Sequence, residues 1–129
     1  MKTNETGRKK LSADMTELAM DGMGLAVSII DSQGMLLYYN QHAAAILDRK
    51  PEYIGRDVHS HHKKASSNEK LDLMLQAFEN GRTEPFHYEA NPYGKDIFVT
   101  LSALLKDGRF LGCVQSVVLK EALISKRGR

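Results

Sequence analysis

Three of the five histidines in this chain, His59, His61 and His62, lie within a span of four residues. Imidazole is the commonest metal ligand among side chains and changes charge near neutral pH, so such a cluster indicates metal binding or proton transfer. The cluster comes just before a stretch of strong helical character, from Ser66 to Phe78. A ligand bound by these histidines would therefore be held where a loop enters a helix.

A small metal site is the first chemistry that the cluster could support. A zinc ion usually takes four ligands, and the three histidines together with Asp57 would supply them. The two residues that follow the histidines, Lys63 and Lys64, would repel a cation. We therefore favour a solvated basic loop over a small metal site.

The composition is that of an ordinary soluble domain. The chain has 129 residues, enough for one hydrophobic core, and 42% of them are hydrophobic and 26% charged. The net charge of +2 is too small to indicate a nucleic-acid partner. The single cysteine, Cys113, leaves no intrachain disulfide, and no apolar stretch approaches the roughly 18 residues of a membrane span. We expect a cytoplasmic protein that binds neither nucleic acid nor membrane.

Motifs of known catalytic types are missing from the sequence. It contains no nucleophile elbow, phosphate-binding loop or paired-carboxylate motif. Gly22-Met23-Gly24 is too short for a nucleotide-binding loop and is interpreted as a turn. The chain is therefore not predicted to be an enzyme, and any output would come from a partner chain or another domain.

Hydrophobic periodicity and turn residues predict an α+β fold. Ser12 can cap a helix that ends at Gly22, and Asp31 to Gly34 and Asp107-Gly108 are hairpin turn signals. The predicted strands are Leu25–Ile30, Met35–Tyr39, Glu84–Ala90, Asp96–Leu105 and Arg109–Leu119, and the helices between them are Gln41–Leu47, Pro51–Ile54 and Ser66–Phe78.

Hairpins at both ends of this order imply a five-stranded antiparallel sheet, with short helices and one longer helix over one face. The helices and the inner sheet face would enclose a pocket, because the middle segments are short and irregular. The predicted divisions are a disordered tail over 1–10, an amphipathic helix over 11–22, the domain over 23–119, and a tail or the start of an output helix over 120–129.

Four short motifs in order carry a family resemblance: Asp31 to Gly34, Asn40 to Ala43, Gly55, and Asp107 to Gly112. This D-x-x-G, N-x-x-A, G, D-G-x-x-x-G skeleton resembles a PAS domain over about residues 12–123. The resemblance implies the PAS fold and a sensory or dimerising module of signalling proteins. Many PAS domains hold a small molecule in a cavity, but membership alone implies no particular ligand.

The segment from His61 to Ala65 is similar to a PAS variety found with hemerythrin-like domains and in carbon-monoxide-sensing haem regulators. In that variety a His-Pro-x-Lys-Ser motif opens the long helix. Here His61 and Lys64 match, whereas His62 replaces the proline and Ala65 replaces the serine. The resemblance implies that His61 is the axial ligand of a haem iron, with His59 and His62 as weaker alternatives.

The same resemblance places Leu104 where the gas-sensing relatives have a methionine as the second axial ligand. An open or water-filled sixth position is therefore expected if haem binds. Such a site needs an apolar cavity facing the imidazole, and Leu71, Met74 and Leu75 from the long helix would line it with Ile97, Val99 and Leu101 from a strand. The alternative is that the histidines cap the helix start and face solvent.

Flavin is not expected as a cofactor. Light-sensing PAS domains carry an Asn-Cys-Arg-Phe-Leu-Gln segment before the long helix, and this chain has Asp57 to Lys64 there. The only cysteine, Cys113, lies on the last predicted strand. Cysteinyl-flavin photochemistry therefore lacks its reactive group.

Three functions remain open from the sequence. The first is a sensor of a small ligand, with haem and possible gas sensing as the leading candidate, that signals through its terminal helices. The second is a ligand-free homodimerisation module that uses the helix from Leu11 to Met20, whose stripe of Met15, Leu18 and Ala19 docks either on its own sheet or on a second copy. The third is a sensor of a small organic acid, whose charge Arg56, Lys63 or Lys64 would pair.

Overall fold

The computed structural model describes residues 10–58 and 65–124. The helices are α1 (Ala13–Gly22), α2 (Gln41–Ile46), α3 (Ala65–Glu79) and α4 (Lys120–Ile124), and the strands are β1 (Ala26–Asp31), β2 (Leu36–Tyr39), β3 (Phe86–Ala90), β4 (Ile97–Lys106) and β5 (Arg109–Leu119). Single 3₁₀ turns cover Pro51–Tyr53 and Pro92–Gly94.

The five strands form one antiparallel sheet in the order β2-β1-β5-β4-β3. The first and last strands of the chain are therefore neighbours at its centre, where Ala26 pairs with Val117 and Asp31 pairs with Gly112. This arrangement confirms the predicted α+β fold. None of the helices in the two described ranges combines the length and hydropathy needed to cross a membrane.

The predicted strand boundaries differ little from those in the structure. β5 has its predicted bounds, while β3 begins at Phe86 instead of Glu84. The physical reason is Pro85, which has no backbone N–H to donate to a neighbouring strand. The predicted helix Pro51–Ile54 is a 3₁₀ turn over Pro51–Tyr53.

The hydrophobic core lies between the inner face of the sheet and α3. Phe78, the largest fully buried side chain, packs against Phe86 with ring centres 5.2 Å apart and against Phe110 at 5.7 Å. Side chains alternate across a strand, and on β4 the buried set is Ile97, Val99 and Leu101. These residues and the buried face of α3 enclose the centre of the domain.

Helix α1 has no buried residue. Its apolar stripe includes Met15 and Leu18, which expose 49% and 72% of their surface, and Leu11 just before the helix exposes 51%. Docking of this stripe on the chain's own sheet is one of the two alternatives that the sequence left open. It does not occur in the described part of the chain, so the stripe remains available to another surface.

A buried asparagine joins α1, β1 and α2. Asn40 is 2% exposed, and its Oδ1 accepts hydrogen bonds from the backbone N–H of Val27 at 2.9 Å and of Ala43 at 3.0 Å. Its Nδ2 donates to the carbonyl oxygens of Met20 at 2.6 Å and of Leu25 at 2.8 Å. One side chain therefore caps α2 and fixes the end of α1 and the start of β1.

Asn40→Asp keeps the size of this side chain but replaces its two N–H donors with an oxygen that faces two carbonyl groups. Loss of buried hydrogen bonds together with repulsion between oxygens should lower the free energy of unfolding by about 3 kcal/mol. Urea denaturation followed by circular dichroism measures this free energy of unfolding. Gln41→Ala, an exposed change one residue away, is the matched control and should change stability by less than about 0.5 kcal/mol; equal stabilities of the two variants would contradict the role of Asn40.

Candidate functional site

A cavity of about 480 Å³ lies between α3 and the inner face of the sheet. This volume is within the range of about 300–1,000 Å³ that is typical of small-molecule sites. Most of its wall is apolar, formed by Ile30, Leu71, Met74, Ile97, Val99 and Leu101. The cavity is therefore the candidate functional site.

Two periodicities bring these apolar side chains together. Leu71 and Met74 are three residues apart and share one face of α3, while Ile97, Val99 and Leu101 alternate on β4. Five of the six wall residues expected from the sequence on these two elements thus line one cavity, and Leu75 is the exception. Leu75 is buried in the adjoining core, where it packs with Phe78 and Leu36, and is not part of the cavity wall.

Leu104 requires a correction. It was expected to face the pocket, but it lies three residues beyond Leu101 on a regular stretch of β4. Because side chains alternate along a strand, Leu104 belongs to the opposite face of the sheet, and Ala103 is the neighbour that packs against the core. Leu104 therefore does not line the cavity.

The histidine cluster lies outside the described residues, as do Lys63 and Lys64. Axial ligation of haem by His61, and any role of His59 or His62, thus stay predictions. Asp57, the suggested fourth ligand, forms a bridge with Met35 beside β2. Within the described ranges, no three histidine, cysteine, aspartate or glutamate side chains are grouped so that they could hold a metal ion.

A polar corner interrupts the apolar wall. The Nε of Arg49 donates to the Oγ of Ser28 at 3.1 Å, and its Nη2 donates to the Oε1 of Gln115 at 3.1 Å. Ser28 on β1 and Gln115 on β5 are directly paired, so the guanidinium spans the two central strands. We call Arg49, Ser28 and Gln115 the arginine corner.

The arginine corner is electrically positive. Burial lowers the pKa of Arg49, while nearby Tyr93, Asp48 and Tyr53 act in the opposite direction; a guanidinium nevertheless remains charged in proteins. Lys70 is a second cation at the cavity wall, with its Nζ 3.9 Å from the ring centre of Tyr88. The site can therefore offer hydrogen-bond donors and positive charge to a ligand with an apolar body.

The sequence reasoning did not identify Arg49 as a site residue. Arg56, the expected partner of an anion, is exposed on the segment beside β2. A usable signal was the presence of polar residues at inward positions of two otherwise apolar strands. Ser28 and Gln115 are those residues, and inward polar side chains need a hydrogen-bonding partner.

Comparison with known families identifies the fold. The family model described as a PAS domain matches residues 17–118. The chain belongs to the PAS domain family. No curated protein sequence matches it.

Solved structures have the same fold as this PAS domain at low sequence identity. A C-terminal domain from Streptococcus mutans is 22% identical with a TM-score of 0.77 and covers 96% of each chain. The Aer2 receptor of Vibrio cholerae, described as a dual PAS-heme oxygen sensor, is 18% identical with a TM-score of 0.54 over 74% of this chain and 94% of its own. The RpfR PAS domain of Cronobacter turicensis, in complex with BDSF, is 13% identical with a TM-score of 0.58 over 75% and 94%.

The two histidines within the described ranges of this PAS domain lie outside the cavity wall. His42 on α2 is exposed. His87 is exposed on β3, and its Nδ1 is 3.0 Å from the Oγ1 of Thr100 on the neighbouring strand. His87 is therefore a surface histidine with a hydrogen-bonding partner.

Cys113 is fully buried on the inner side of the PAS sheet. Burial raises the pKa of its thiol to about 12. Since the thiolate is the nucleophilic form of cysteine, this side chain is chemically quiet at neutral pH. Its role in the structure is to fill the core.

The reactivity of the Cys113 thiol tests its burial directly. At pH 8, the native protein should react with Ellman's reagent at least about 100-fold more slowly than the protein unfolded in guanidinium chloride, because burial removes both access and thiolate. A variant with Leu73→Cys, whose parent side chain on α3 is 66% exposed, should gain one fast-reacting thiol. Reaction of native Cys113 at the rate of that control would contradict the burial.

Proposed function

We propose that this PAS domain is a sensory module that binds a small ligand in its cavity and passes the event to a signalling partner or effector domain. The observation that carries the proposal is the preformed cavity of about 480 Å³, with apolar walls and one polar corner. In this proposal, the core over 23–119 senses and the helices on either side transmit. The chain has no catalytic activity of its own, and its location in the cytoplasm remains a prediction.

The strands that contact the cavity are connected to both terminal helices. Gln115 lies on β5, which continues directly into α4 at Lys120. Ser28 lies on β1, whose start is tied to the end of α1 through Asn40. A ligand shifts a conformational equilibrium only if it binds one state better than the other. Contacts made at the central strands are thus placed to change the positions of α1 and α4.

Haem, held through His61, is the ligand to test first. His61 precedes α3 by four residues, and α3 contributes Leu71 and Met74 to an apolar wall of the kind that a macrocycle requires. The cations of the wall, Arg49 and Lys70, are of the type that pairs with propionates. Bound haem would supply an iron centre for a gas ligand.

Reconstitution of the purified protein with hemin tests this assignment. A sharp Soret band should appear, and His61→Ala should abolish it because the imidazole supplies the axial nitrogen. His59→Ala and His62→Ala are the matched controls and should leave the band in place. A band that survives in the His61→Ala protein would overturn the role of His61.

We further propose that the PAS domain forms a homodimer through α1. The supporting observation is the apolar stripe of Met15 and Leu18, which the described part of the chain leaves exposed. Burial of such side chains against a second copy would contribute about 25 cal/mol for each Å² removed from water. Stripes from two copies lying side by side would also hold the terminal helices in a defined arrangement.

A charge placed in this stripe should dissociate the dimer. We expect Leu18→Glu to reduce the mass at micromolar concentration from that of two chains to that of one, measured by light scattering after gel filtration. Leu73→Glu, at a similarly exposed leucine on α3, should leave the mass unchanged. An unaltered dimer in the Leu18→Glu protein would exclude α1 as the main contact.

A further inference from the structure

We infer that the arginine corner binds a carboxylate group of the cavity's ligand, which resides on an otherwise apolar molecule. The inference rests on the proposed function, because it requires a ligand in the cavity. Three observations support it: the free donors of Arg49, the positive charge of the cavity wall and the apolar surface beyond the corner. The carboxylate belongs either to a free organic acid or to a haem propionate, and the experiment distinguishes these sources.

The guanidinium of Arg49 is held in place but its donors are not all used. It has five N–H groups, and three hydrogen bonds join it to Ser28, Gln115 and the carbonyl oxygen of Asp48, the last at 3.4 Å. The remaining donors have no acceptor among the described residues. A planar guanidinium fixed in this way presents the fork that binds a carboxylate through two parallel hydrogen bonds.

The charge of Arg49 is not neutralised by a direct ion pair within the described ranges. The nearest acidic residue in sequence, Asp48, accepts a hydrogen bond from the hydroxyl of Tyr53 at 3.3 Å and lies 3.9 Å from the Nζ of Lys50. All three acceptors of the guanidinium are neutral oxygens. Asp48 acts on the charge of Arg49 only without a direct ion pair, and a mostly buried charge that lacks such a pair is costly, so an anionic ligand would lower that cost.

The cavity wall likewise carries positive charge that no acidic side chain in it balances. Its charged members among the described residues are Arg49 and Lys70, both cations, and none is an aspartate or glutamate. Lys70 is exposed and lies over the ring of Tyr88 at 3.9 Å. Arg49 is thus the deep cation, suited to a head group, whereas Lys70 contributes charge near the surface.

Most of the remaining wall favours an apolar body, although Tyr88, Asn91 and Tyr93 also line the cavity. Leu71 and Met74 from α3 face Val99 and Leu101 from β4, and none of these side chains can pair with a polar group. A ligand that fills the site must therefore be polar and negative at one end and apolar over the rest of its length.

Calorimetric titration with octanoate, 1-octanol and methyl octanoate at pH 7 distinguishes the contribution of the head group to binding from that of the apolar body. Octanoate should bind at least tenfold more tightly than either uncharged probe. Arg49→Met should weaken octanoate binding by about tenfold to a hundredfold, the range expected for a charged hydrogen-bonded pair, and should leave octanol binding unchanged. Arg109→Met, at an exposed arginine outside the cavity wall, is the matched control and should keep the preference for the acid.

A second arm uses hemin. If the carboxylate is a propionate, Arg49→Met should weaken hemin binding while the position of the Soret band stays the same. If it belongs to a free acid, that variant should bind hemin like the unaltered protein and lose only octanoate. Arg49→Lys keeps the charge without the fork and should recover part of the lost affinity, which separates binding from a folding defect.

The inference would be overturned if octanoate and octanol bind equally well. It would also be overturned if Arg49→Met affects the binding of neither octanoate nor hemin. Either result would leave the sensory function intact. Failure of the unaltered protein to bind either octanoate or hemin would also overturn it. The proposed function fails as well only if native mass spectrometry of the purified protein detects no bound small molecule.

Discussion

The four hydrogen bonds of Asn40 determine how the first third of this domain is arranged. An amide side chain that is 2% exposed must satisfy both its oxygen and its nitrogen, and here the partners come from α1, β1 and α2. A second link strengthens the junction, since the backbone N–H of Gln41 donates to the Oδ1 of Asp21 at 2.9 Å. The end of α1 and the start of β1 are thereby fixed to the segment that leads to Arg49.

The central strand pair sets the geometry of the arginine corner in a different way. A Cβ added at Gly112 would overlap the carbonyl oxygen of Ile30 and lie 2.9 Å from the Cα of Asp31. Only glycine allows this approach of β5 to β1. The register that results pairs Ser28 with Gln115, and both side chains reach the same guanidinium. A glycine at one end of the strand pair thus supports a polar site several residues away.

Local signals in the sequence predicted the elements well, whereas contacts between elements were predicted unevenly. The turn at Asp107-Gly108 and the alternation of β5 depend on neighbouring residues, so the sequence alone predicts them. The family resemblance assigns Leu104 to the pocket, whereas strand alternation from Leu101 places it on the opposite face of the sheet. The role of Arg49 depends on the pairing of β1 with β5, which lie far apart in the chain, so the inward polar residues Ser28 and Gln115 indicate a hydrogen-bonding partner without identifying it.

The site and the terminal helices share the same two strands. Arg49 is anchored to β1 and β5 by hydrogen bonds of 3.1 Å, and these strands are the ones connected to α1 and α4. In the proposed sensor, a carboxylate that engages the remaining donors of the guanidinium would shift it relative to Ser28 and Gln115. Any redistribution of these bonds acts first on the central strand pair. Because interiors are closely packed, a small displacement there is passed on to the attached helices and is not absorbed locally.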